Sequence, residues 1–195
     1  AGMLYYAPQI WCSDNTDAVE RLKIQYGTSF GYPMSSVSAH VSVCPNHQNG
    51  RETPFKTRGI CAMQGAFGYE LDLSKLSEED KEEVRKQVKV YKENYKVIQS
   101  GSYYRLTSPW ENHDVTAWSY VAEDQDRAIL AVVYTDLHGN PAPVRVRWKG
   151  LKPDAVYEVE GSSYTGAALM NGGYLLPVPK CNYDSCLLIA VERQA

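Results

Sequence analysis

The hydrophobic period changes near residue 101, and that change limits the fold more than any other feature of the chain. Before it, short apolar runs alternate with helical patterns. After it, short β-type runs follow one another with turn signals between them. A chain of this texture is expected to fold as an α/β part followed by an all-β part.

In the first part, residues 10–13 read as a strand. Asn15 or Thr16 caps a helix through Tyr26, with Asp17 and Glu20 in its first turn and Arg21 and Lys23 later. That charge order suits the helix dipole. Val19, Leu22 and Tyr26 share a face, and Gly27 ends the helix. Residues 35–43 read as a strand and 45–52 as a loop. Thr53-Pro54 reads as a helix start with proline at the first helical position. Residues 67–73 read as another strand. The last helix is the clearest: Ser77 caps it and Asp80 holds the capping-box position. Val84, Val88, Tyr91, Tyr95 and Ile98 form a stripe expected to be buried, Glu82 and Lys86 an i, i+4 pair, and Gly101 the end. Repeated strand–helix pairs make a parallel α/β sheet. Three such units are too few for a closed eight-stranded barrel.

In the second part, residues 128–135, 144–149, 156–160, 174–178 and 187–192 read as strands, with glycine, asparagine and proline turns between them. Val144, Val146 and Trp148 alternate with Arg145, Arg147 and Lys149, so one face of that run is buried. The spacing predicts an antiparallel β-sandwich. The expected domains are 1–101 and 102–195.

Composition excludes some functions. The formal net charge is −3, which supplies no basic field for nucleic acid. No run of 18 apolar residues spans a membrane, and no charged-then-apolar leader opens the chain. Fifteen tyrosines against three phenylalanines suit wet or sugar-facing surfaces. The five cysteines, Cys12, Cys44, Cys61, Cys181 and Cys186, are odd in number and widely spaced, as in a cytoplasmic protein with reduced thiols. Cys181 and Cys186 alternatively bridge a turn. His40, Cys44, His47 and Cys61 match no standard zinc spacing; Cys44 and Cys61 read as small buried hydrophobes and the histidines as making ordinary hydrogen bonds.

Asp14 is the position most able to do chemistry. It follows a strand and precedes a helix, which is where catalytic side chains project in parallel α/β folds. Trp11 offers an aromatic wall beside it. The competing reading is that Asp14 or Asp17 is a helix cap.

The run Trp11-Cys12-Ser13-Asp14-Asn15-Thr16-Asp17, within residues 3–29, resembles the α-galactosidases of glycoside hydrolase family 36. So do Tyr32-Pro33-Met34-Ser35-Ser36, Pro45-Asn46-His47-Gln48, Thr57-Arg58-Gly59 and Phe67-Gly68-Tyr69-Glu70-Leu71-Asp72-Leu73. The second part resembles the family more weakly, through residues 150–157 and 169–173. The resemblance implies the end of a (β/α)8 barrel followed by a C-terminal antiparallel β-sandwich. It also implies a retaining hydrolase releasing terminal α-galactose from melibiose- and raffinose-type sugars, with Asp14 as general acid/base, Trp11 at the substrate, and no metal or organic cofactor. A retaining glycosidase needs a second carboxyl about 5–5.5 Å from the first. In the family it follows tryptophan in a Lys-Trp-Asp motif. Here the four tryptophans precede Cys12, Glu111, Ser119 and Lys149. The chain therefore reads as a truncation that keeps the acid/base and omits the nucleophile, inactive alone, from a parent that can be a homo-oligomer.

Other readings stand beside this one. Glu70 and Asp72 share a strand face and offer a replacement carboxylate; the alternative is that they are ordinary strand-end residues. His40, Asn46, His47 and Arg58 either line the barrel mouth or serve packing and subunit contacts. The isolated chain can be a structural or sugar-binding module, and the parent a galactosyl-transferring relative.

Overall fold

The structure is a computed structural model that describes residues 2–194. The chain divides into two compact units, Ala1–Gln99 and Ser100–Ala195. No helix among the described residues is long and apolar enough to cross a membrane.

The first unit is built on two parallel strands, β1 (Ser38–Ser42) and β2 (Ala66–Glu70), paired His40 opposite Gly68 and Ser42 opposite Glu70. The helix α2 (Phe55–Ala62) crosses between them, and α1 (Ala18–Thr28) precedes β1. Strand alternation sends Ala39 and Val41 to one face, where they pack with Ala62, Phe55, Phe67 and Tyr69. His40 and Ser42 share the opposite face. Gly65 leads into β2 because a Cβ there would be driven into the Val37 carbonyl oxygen.

Several local expectations change. The run at residues 10–13 contributes one parallel bridge, Ile10 to Val37, rather than a strand. The helix cap is Asp17, and α1 continues through Gly27 to Thr28. Pro54 is the cap of α2 rather than its first helical residue. The strand expected over 67–73 stops at Glu70, because the Asp72 carboxylate accepts the Ser74 N–H and starts a 3₁₀ turn. Ser77 does cap the helix α3 (Glu78–Glu93), accepting from Asp80 N. That helix breaks at Asn94, whose amide donates to Val90 O, and resumes as α4 (Tyr95–Ser100). Gln87, Asn94, Val97 and Ile98 are buried, whereas Tyr95 of the expected stripe is 55% exposed. Glu82 pairs with Arg85 one turn away, not with Lys86.

The second unit is antiparallel. Its main sheet orders β3 (Ser102–Arg105), β4 (Val115–Val121), β5 (Arg127–Tyr134), β10 (Ser185–Glu192), β7 (Val156–Val159) and β8 (Ser162–Thr165). A smaller pair joins β6 (Arg145–Val146) to β9 (Tyr174–Leu175). One apolar cluster holds Leu130 and Val132 of β5 together with Val146, Trp148, Tyr157 and Leu169. Val146 and Trp148 are buried while Arg145, Arg147 and Lys149 are exposed, as their alternation requires. The strands β3, β4 and β8 are additional to those read from the sequence. All five cysteines are free thiols.

Candidate active site

Ile10 lies beside the start of β1, donating its N–H to Ser36 O and accepting from Ser38 N. Trp11 to Asp14 therefore emerge on the face that carries His40. The indole of Trp11 stacks on the His40 imidazole, with ring centroids 4.6 Å apart and planes 4° from parallel. Its Nε1–H donates to Asp14 Oδ1 at 3.1 Å.

The loop around Asp14 uses its other side chains locally. Ser13 Oγ accepts from Asn15 N, Asn15 Oδ1 from Asp17 N, and Asp17 Oδ1 from Glu20 N. These are the side-chain turns and cap that short polar residues make at helix starts. Thr16 donates N–H and hydroxyl to Gln48 Oε1 and accepts from Asn46 Nδ2. Gln48 Nε2 in turn donates to Asp14 O at 3.1 Å. Asp17, buried, also pairs with Arg51. Asp17 is the cap, and Asp14 alone in this run keeps an exposed carboxyl.

Arg21 fixes the loop from below. It is 1% exposed and donates to Ser13 O at 3.2 Å, Asn15 O at 3.0 Å and Ser38 O at 3.0 Å. Its Nε donates to Gln25 Oε1. With Gln48, the carbonyls of residues 13, 14 and 15 are all held. In sequence, Arg21 and Gln48 are an ordinary helix charge and a loop amide; both fall in stretches that resemble the family, but charge order and period give neither a role at the loop.

His40 is 6% exposed. Its Nε2 lies 3.0 Å from Glu70 Oε2, but neither ring nitrogen makes a well-directed hydrogen bond among the described residues. Burial, and then the nearby Arg21 charge, lower its pKa to about 4, so the imidazole is neutral near pH 7. A cleft of about 510 Å³ opens beside these rings, lined by Trp11, His40, Glu70, Tyr69 and Tyr91 among others. Asp72 is not with Glu70; it is spent on the cap beyond the strand. Arg58 donates to Ser42 O and Thr53 O and lies over the Phe55 ring, tying β1 to its loop. Asn46 supports the Asp14 loop, and His47 is exposed.

The four residues weighed as zinc ligands do not converge. His40 is engaged with Trp11, and Cys61 is buried, which pushes its thiol pKa up. The cluster among the described residues that could hold an ion is Asp114, Asp136 and His138 in the second unit, with ligand atoms within 4.8 Å of one another and all three exposed. Asp114 accepts from His138 and raises its pKa.

Comparison with known proteins places this geometry in a class. Residues 1–101 match the Melibiase family model and residues 115–189 the glycosyl hydrolase family 36 C-terminal domain. Both describe glycosidases. The chain belongs to the melibiase family, the α-galactosidases of glycoside hydrolase family 36. It is 55% identical over 179 residues to the bifunctional α-galactosidase/sucrose kinase AgaSK of Mediterraneibacter gnavus, covering 91% of this chain and 19% of that protein. The solved galactosidase domain of AgaSK superposes with a TM-score of 0.96 at 52% identity, over 98% of this chain and 27% of that one. A variant of the Geobacillus stearothermophilus α-galactosidase AgaA, in complex with raffinose, gives 0.95 at 45% identity, over 98% and 27%. The chain thus spans about a fifth to a quarter of such relatives.

Proposed function

We propose that this chain is the C-terminal part of a retaining α-galactosidase and that Asp14 is its general acid/base. Residues 1–101 are the last strands and helices of the catalytic (β/α)8 barrel, and residues 102–195 a C-terminal β-sandwich. The observation that carries the reading is the Asp14 carboxyl itself. Every neighbouring polar side chain in its loop is occupied by the backbone or by Gln48 and Asn46, while Asp14 stays exposed with Oδ1 held by Trp11.

The division of labour follows. With Oδ1 taking the indole N–H, Oδ2 carries the proton. As a carboxylate from the preceding part of the protein attacks the anomeric carbon, Asp14 delivers that proton to the leaving glycosidic oxygen. The resulting Asp14 carboxylate then takes a proton from the water that releases galactose. Trp11, 50% exposed, presents an aromatic edge to the departing sugar. Substrates of the raffinose type are supported by the raffinose-bound relative.

The test is Asp14→Ala in the full-length enzyme. Turnover of raffinose is expected to fall by roughly 10²–10⁴-fold, and turnover of aryl galactosides with good leaving groups much less in the galactosylation step. Undiminished raffinose hydrolysis would refute the assignment. A second reading, that the 195-residue chain alone is non-catalytic, is favoured by the carboxylate that lines the cleft, Glu70, lying against His40 with Oε2 3.0 Å from Nε2. Hydrolysis of nitrophenyl α-galactoside by the isolated chain, lost in Asp14→Asn, would overturn it.

A further inference from the structure

We infer that His40, held by Glu70, is a positioning residue that sets the plane of the Trp11 indole and through it the orientation of the Asp14 carboxyl; this rests on the reading of Asp14 as acid/base. The argument begins with what an indole can do. It has one N–H, which lies in the ring plane, so the plane decides where the hydrogen bond goes. Trp11 sits on an irregular segment with half its surface exposed, and no strand ladder fixes it. What fixes its ring is His40, stacked 4° from parallel. Tilting the indole away from that stack moves Nε1 off Asp14 Oδ1, 3.1 Å away.

His40 is suited to this use by its own surroundings. It lies mid-strand in β1, between buried Ala39 and Val41, so its backbone cannot shift easily. Glu70, on the neighbouring strand, stands 3.0 Å from its Nε2 and limits rotation of the ring. An imidazole with neither nitrogen well hydrogen-bonded in the chain is a costly choice for packing alone.

The experiment uses the full-length enzyme with His40→Ala, His40→Phe, Glu70→Ala and Asp14→Ala. Each is assayed on raffinose and on aryl α-galactosides of graded leaving-group ability, with thermal unfolding measured beside. His40→Ala is expected to lower kcat/KM on raffinose roughly tenfold, part of the general-acid contribution. The best aryl leaving group should change less than about threefold, which steepens the leaving-group dependence. Phenylalanine, which restores a flat ring, is expected to recover most of the loss. Glu70→Ala, at an exposed position, is expected to show the same selectivity in milder form and serves if His40→Ala unfolds. Equal losses on all substrates, or no loss, would overturn the inference. If Asp14→Ala itself shows no leaving-group selectivity, the acid/base reading fails. If Asp14→Ala shows it and neither His40 nor Glu70 variants do, this inference alone fails.

Discussion

Replacing Arg21 by leucine tests whether the Asp14 loop is held as the structure describes. The guanidinium is buried and donates to three main-chain carbonyls, of Ser13, Asn15 and Ser38, at 3.0–3.2 Å. Leucine fills part of the space and donates nothing. Hydrogen bonds from a charged donor contribute about 1.5–3 kcal/mol each, but burying a guanidinium costs several kcal/mol, which the variant regains. The three carbonyls are on partly buried residues, so water relieves some of their loss. At about 1 kcal/mol per orphaned carbonyl the expected destabilisation is about 3 kcal/mol. With a urea m-value of about 3 kcal/mol/M, the unfolding midpoint drops by roughly 1 M at unchanged m. The functional consequence is larger. Two of the three carbonyls flank Asp14, the proposed acid/base, and a displacement of about 1 Å at such a group costs on the order of 10²-fold in rate. The assay is urea unfolding by tryptophan fluorescence, paired with raffinose turnover in the full-length enzyme. A midpoint within about 0.2 M of the parent, or turnover within about twofold, would refute the reasoning.

Three further outcomes are expected. Gly65→Ala forces a Cβ into the Val37 carbonyl oxygen, which accepts the Ala66 N–H at 2.8 Å; a loss of about 2 kcal/mol should appear with reduced hydrogen-exchange protection in β2. Gln87→Leu removes the acceptor of Tyr69 OH at 2.8 Å and the donor to Phe55 O at 3.1 Å, costing about 2 kcal/mol by chemical denaturation. His40 is held at a pKa of about 4 against an ordinary 6.5. The unfolded chain therefore binds more protons between these values, and stability should fall as pH drops through that window and level below it; His40→Phe should flatten this part of the pH–stability curve, and an unchanged slope would contradict the assignment.

Period and turn chemistry made much of the fold legible. Val146 and Trp148 against Arg145 and Arg147 show alternation because one side of that run faces the core and the other water. The method fails at β4, where all seven residues are buried and Thr116 and Ser119 sit among them: with both faces covered, alternation has nothing to report. It fails differently at Tyr95. The stripe from Val84 is helical in spacing, but the Asn94 amide competes for Val90 O, the helix restarts at Tyr95, and Tyr95 is exposed while Ile98 stays buried. At the site, the pattern places Asp14 between an apolar run and a helix, but residues 10–13 give one bridge rather than a strand and the helix begins at Ala18. The Trp11–His40 stack and the Arg21 clamp join residues 29 and 6 to 17 positions apart through tertiary folding, and no local period encodes that.

The side-chain turns of Ser13, Asn15 and Asp17 have a consequence for how such chains are classified. In the five-residue run from Ser13 to Asp17, three side chains bond the backbone, the Thr16 hydroxyl bonds Gln48 and Asn46, and Asp14 keeps an exposed carboxyl. The run is thus mainly a signature of a loop shape. A protein that exchanged Asp14 for asparagine would keep the turns, the cap and the Gln48 tether. It would still be grouped with this family while lacking the carboxyl proposed here to move the proton. On that proposal, membership and competence are separable, and a single position divides them.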